Sequence, residues 1–195
     1  TQISLASIHN NTRDGIQALS SSTPCLMSNQ IHDNGRYPIY LDANSWHKAE
    51  CWTGNVFGGN GVEAIGFEGR TLTTNFAFYD YGLDWRVLSD LYVQGSPAPT
   101  LTVFPGLTIE FASNAGLAVG VSGPGQITAV GNPDDRIVFT AASGASGGWD
   151  GISFGSYSDD VGILQTLRFC DVVHAGQTGW GSDAAVRVNT ANHRF

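Results

Sequence analysis

The sequence is poor in the residues that build helices and bind polyanions. Among 195 residues there is one lysine and one methionine, and only 13% of the chain is charged. Four glutamates stand against thirteen aspartates, so the acids are turn formers rather than helix formers, which argues against a helical bundle. A net charge of −8 opposes binding to nucleic acid or to an anionic membrane surface. No apolar run approaches the length of a membrane span. Three cysteines are too few for a disulfide-dense scaffold and match no zinc spacing. No leader segment is visible, and the opening Thr1-Gln2-Ile3 reads as mid-structure.

What is present is hydrophobic and rich in turns. The chain is 42% hydrophobic, with 25 glycines and 7 prolines, enough apolar material for one ordered domain with a substantial core. Self-comparison reveals a repeat. Residues 8–18 (IHNNTRDGIQA) match residues 31–41 (IHDNGRYPIYL) at Ile8/Ile31, His9/His32, Asn11/Asn34, Arg13/Arg36 and Ile16/Ile39. A second step carries Cys25, Asn29, Asn34, Gly35 and Ile39 onto Cys51, Asn55, Asn60, Gly61 and Ile65. Apolar residues alternate within each unit, as in Ile39/Leu41 and Ile65/Phe67, so each unit holds short strands with one buried face.

A period of about two dozen residues with several short strands fits one coil of a parallel solenoid, in which equivalent strands stack at roughly 4.8 Å. Asn11, Asn34 and Asn60 then form a structural ladder, their amides bonding along the column. The second half carries further alternating strands, among them 107–111, 137–140, 151–154 and 185–188, separated by longer glycine- and proline-rich turns. Residues 1–69 are read as regular coils, 70–90 as an irregular insertion packing on the side, and 91–195 as coils with longer loops.

The stretches PCLMSNQIHDNGRYPIYL, LTVFPGLTIEF, GLAVG, GQITAVG, RIVFT and WDGISF resemble right-handed parallel β-helix repeat proteins. These are the pectate-lyase-like superfamily, in particular the repeat regions of large bacterial surface and secreted proteins. The resemblance implies an all-β, single-stranded right-handed parallel β-helix of about seven or eight coils. It implies no single function, because the fold hosts lyases, hydrolases, adhesins and fibres. In such proteins the LTVFPGLTIEF-like stretch usually comes first, and here the order is reversed. Joining Phe195 to Thr1 of another copy restores that order and spaces Val186 and Ile16 by 25 residues, within the period.

The expected function is therefore a structural repeat module of an extracellular or cell-surface protein, a fibre subunit whose copies join head to tail or in covalent tandem. Ile3, Leu5, Ile8 and Ile16 are expected at one open end, and Val186, Val188 and Phe195 at the other. The alternative is a carbohydrate-binding or polysaccharide-degrading β-helix. Trp46, Trp85, Trp149 and Trp180 lie in loop-like stretches where they serve either as lids over the core or as stacking surfaces for sugars. Asp159 and Asp160 make a weak calcium candidate, a turn being the commoner reason for adjacent aspartates; no other cofactor is expected. Cys25 and Cys51, one coil apart, suit either a disulfide or a reduced buried pair. No catalytic residues are assigned: Asp171 and His174 are three apart and face opposite sides of a strand.

Overall fold

A computed structural model describes residues 1–43, 45, 49–159, 162, 164–177 and 183–189. Among these the architecture is all-β, with one short 3-10 turn at Ala49–Cys51 and strands that pair in parallel. Parallel pairing between strands 21 to 38 residues apart requires a connection that travels around and returns one layer on, a pattern compatible with a β-solenoid. The chain divides into two compact units: residues 1–68 with 80–86, and residues 69–79 with 87–195.

In the first unit three stacks carry the repeat. Gln2–Ser4 lies on Cys25–Met27. Ser7–His9, Gln30–His32 and Val56–Gly58 form the second stack. Ile16–Ala18, Ile39–Asp42 and Ala64–Glu68 form the third, which Asp84–Val87 extends. The steps are 23 residues and then 26, so Ile8 sits on Ile31 and Phe57, and Ile16 on Ile39 and Ile65. Alternation decides what goes inside: Leu26, Ile31, Ile39, Leu41, Ile65 and Phe67 are wholly buried. Each such side chain contributes about 1.5–3 kcal/mol when removed from water.

The second unit also has three stacks. One runs from Thr71–Leu72 through Leu91–Val93, Leu117–Val119 and Ile152–Phe154 to Val186–Val188. Another joins Phe76–Phe78, Thr100–Val103, Gln126–Val130 and Thr166–Arg168. The third comprises Thr108–Phe111, Ile137–Ala141 and Cys170–Val172. Val93, Ile109, Val119, Ile127 and Phe139 are fully buried along these stacks.

One sequence expectation is corrected here. Residues 70–90 are not an irregular insertion, because Thr71–Leu72, Phe76–Phe78 and Asp84–Val87 are strands of the stacks. Phe76 pairs with Leu101 and Leu72 with Val93, so the alternation continues with aromatic rings in place of aliphatic side chains. No identity recurs at a fixed step there, which is why self-comparison loses the thread.

Candidate functional site

Two corners shape every layer of the first unit. Between the first and second strands, Leu5, Ser28 and Gly54 adopt φ of +55°, +53° and +66°; after the second strand, Asn10, Asp33 and Gly59 adopt +57°, +53° and +68°. A single left-handed residue turns the chain sharply and leaves its neighbouring peptide groups to be satisfied by side chains. Asparagine follows the second corner throughout. Asn11 Nδ2 donates to Asn34 Oδ1 (2.8 Å), and Asn34 Nδ2 donates to Asn60 Oδ1 (2.9 Å) and to the Ile8 carbonyl (3.1 Å). Glu63 Oε1 accepts from the Asn60 backbone N–H at 2.7 Å, ending the file. The primary amide donates from its nitrogen and accepts at its oxygen, so it passes the bond from layer to layer, whereas an ionised Asp, acceptor only, would break the chain of bonds.

A second file flanks the first corner. Asn29 Oδ1 accepts from the Ala6 N–H (3.0 Å), and Asn29 Nδ2 donates to Asn55 Oδ1 (2.9 Å). The sequence comparison matches Asn29 to Asn55, yet assigns no ladder to them; the step of 26 was the available signal.

Polar side chains cover the outer surface of these stacks. His9 and His32 lie ring on ring, with centroids 4.9 Å apart and planes 6° from parallel. Asp33 Oδ2 accepts from His32 Nδ1 at 2.7 Å, and Ser7 Oγ stands 3.5 Å from His32 Nε2. That Ser–His–Asp sequence is open to solvent, with Asp33 and Ser7 exposed, and its 3.5 Å leg is at the limit of a hydrogen bond. Arg36 makes a bidentate pair with Asp14 (2.8 and 2.7 Å) while its guanidinium lies 4.9 Å from the ring centres of both Tyr37 and Tyr40. Burial, with a hydrogen bond to Glu68, pushes the Tyr40 hydroxyl up to about 12, so it remains a donor through the neutral range.

Five of the strands that begin or end stacks are more exposed than those within them. Gln2–Ser4 and Ser7–His9 are paired on one side only, as are Thr166–Arg168, Cys170–Val172 and Val186–Val188 among the described residues. Ile3 and Ile8 are half-exposed, whereas the residues stacked on them, Leu26 and Ile31, are completely buried. Val186 is 40% exposed and Val188 65%, although their partners Ile152 and Phe154 are buried. Two residues assigned to the open end behave otherwise. Leu5 is the left-handed corner residue and points to solvent at 85% exposure, and Ile16 is buried. The corner resets the alternation, so counting by two from Ile3 fails at Leu5. Phe195 lies outside the described residues.

The remaining expectations divide as follows. Trp85 and Trp149 are not sugar platforms: both are fully buried, Trp149 stacked 4.4 Å from Phe111 and donating to the Val173 carbonyl at 2.8 Å. Trp46, Trp180 and Asp160 lie outside the described residues. Asp159 borders a hollow of about 270 Å³ with Phe154, Ser158, Gln165, Leu167 and Val188, and among the described residues no three His, Cys, Asp or Glu side chains gather as a metal site. Cys25 and Cys51 are not joined by a disulfide; the Cys25 thiol donates to the Cys51 carbonyl at 3.7 Å. A separate groove of about 230 Å³ follows the outer face of the second unit past Tyr92, Ala118, Ser153, Arg187 and Asn189. No family model, no curated protein and no solved structure matches the chain.

Proposed function

We propose that this chain is a structural module of an extracellular or cell-surface β-solenoid, a right-handed parallel β-helix of about seven or eight coils. Its copies join through their open ends, head to tail or in covalent tandem. The observation that carries this reading is the pair of one-sided strand edges, where Ile3, Ile8, Val186 and Val188 stay accessible although their stacked neighbours are buried. Unpaired edges with apolar side chains behind them are templates for further strands. Right-handedness follows the strong preference of parallel crossovers. The Asn-rich, lysine-poor composition suits a secreted setting.

Light scattering over a concentration series tests the reading. The intact chain is expected to grow in mass with concentration, and removal of residues 1–19, one whole edge, is expected to stop it. Unchanged assembly after that truncation would contradict the reading.

A second reading has one observation in its favour: the groove beside Tyr92, Ser153, Arg187 and Asn189 offers a ring, hydroxyl, guanidinium and amide along a strand face. That suits a polysaccharide. Screening acidic and neutral polysaccharides for binding and cleavage, with and without calcium, separates the two; the first reading expects neither.

A further inference from the structure

The two open edges share one backbone template. At the amino-terminal edge, Leu5 is left-handed between Gln2–Ser4 and Ser7–His9, and Asn10 is left-handed after them (φ +55° and +57°). At the other edge, Phe169 is left-handed between Thr166–Arg168 and Cys170–Val172, and His174 is left-handed beyond (φ +52° and +58°). In both edges the two corners are five residues apart, so residues 1–10 align with 165–174 without a gap, the second strand beginning one residue earlier in the latter. Both are rare conformations for residues other than glycine, and sharing the pair is a specific match.

Three further features agree with that alignment. First, inward positions coincide: Ile3 falls on Leu167, Ala6 on Cys170 and Ile8 on Val172. Second, the backbone groups that the ladders leave turned outward are in phase, the Cys170 carbonyl among them also accepting from Arg136 Nη2 at 3.2 Å. The Gln30 N–H donates to the Ala6 carbonyl and Asn10 N–H to the Asp33 carbonyl, so Ser7 and His9 turn their peptide groups to the open side. The Phe169 carbonyl and the Val173 N–H are used toward the preceding layer, which leaves Cys170 and Val172 facing out. A parallel pair with Ser7 opposite Asp171 therefore lets the Ser7 N–H reach the Cys170 carbonyl and the Val172 N–H reach the Ser7 carbonyl. Third, the outward pairs Gln2/Thr166, Ser4/Arg168, Ser7/Asp171 and His9/Val173 oppose no like charges.

We infer that the partner seated on residues 165–174 is residues 1–10 of a second copy, in this register, an inference that rests on the proposed end-to-end function. The hollow of about 270 Å³ beside Leu167, Phe154 and Val188 receives the Ile3 side chain of the arriving edge. In a covalent tandem the same register gives a step of 31 residues, inside the range of steps within the second unit.

Cysteine cross-linking tests the register. Chains carrying Ser4→Cys and chains carrying Arg168→Cys, both with Cys25→Ala, Cys51→Ala and Cys170→Ala, are mixed and treated with a short bismaleimide. Ser4 and Arg168 are exposed, so neither change disturbs the core. The expected product is a linked dimer in the mixture, absent from either population alone, whose cross-linked peptides span positions 4 and 168. Position 4 linked to itself or elsewhere, in chains that still assemble by light scattering, would overturn the register and leave stacking standing. Failure of the intact chain to assemble at any concentration would overturn both.

Discussion

The two units reach the same kind of stacking by different means. In the first, successive layers are 23 and 26 residues apart and two files of asparagine amides tie them together at the corners. In the second, steps range from 21 to 38 residues, and large apolar groups such as Phe111, Phe139 and Trp149 hold the layers. The contrast teaches where uniformity is enforced. An amide ladder fixes the corner that carries it, because each link must lie directly over the last, while the connection away from that corner still changes from 23 to 26 residues. Apolar contact is indifferent to how far the chain wanders between strands, so loops there are free to lengthen.

Truncation in the two units should break this comparison most sharply. Trp149→Ala empties a fully buried site packed against Phe111, and is expected to cost about 3–5 kcal/mol in denaturant unfolding. In the first unit Asn34→Ala leaves Asn11, Asn60 and the Ile8 carbonyl without their shared partner, and is expected to cost about 3 kcal/mol. Asn34→Asp should do little better, since a carboxylate cannot donate to Asn60. If Asn34→Ala were neutral, the ladder would not be what sets the regular step.

A pH titration sharpens the same contrast. The folded state holds the Tyr40 hydroxyl at about 12, above its ordinary 10, through burial and the bond to Glu68. Its contribution is fully present below pH 10 and is lost as pH rises from 10 toward 12, where the unfolded chain ionises first. The midpoint of denaturation should fall over that window, and Tyr40→Phe should flatten the fall. An unchanged slope in that variant would assign the effect elsewhere. The smallest effect is expected at Arg136→Ala in the second unit. Arg136 and Asp171 are an exposed pair at 2.6 Å, so stability should hardly move. The Asp171 carboxyl, which the guanidinium holds below the ordinary carboxylate range, should return toward it in an NMR titration.

The same contrast explains what could be read from the sequence. Asn11, Asn34 and Asn60 were visible because the ladder fixes spacing, and spacing is what self-comparison detects. Trp149 looked like a loop residue because Gly147 and Gly148 precede it, whereas its ring lies in the core. Leu5 looked inward because it continues the alternation of Ile3, but a left-handed residue between two strands shifts the phase by one. The match of residues 1–10 to 165–174 was hidden for a related reason. TQISLASIHN and QTLRFCDVVH have no identity at any aligned position, and left-handed Leu, Phe and His carry no glycine to announce them.

Amide hydrogen exchange at several protein concentrations tests the open-edge account most directly. In dilute solution the N–H groups of Leu26, Ile31 and Ile39, inside the stacks, should be protected, and those of Ser7, His9 and Val172 should exchange quickly. As concentration rises and copies stack, protection should appear at Ser7, His9 and Val172. If those three amides stay unprotected at every concentration, or are already protected in the isolated chain, the edges are not where this protein meets its neighbour.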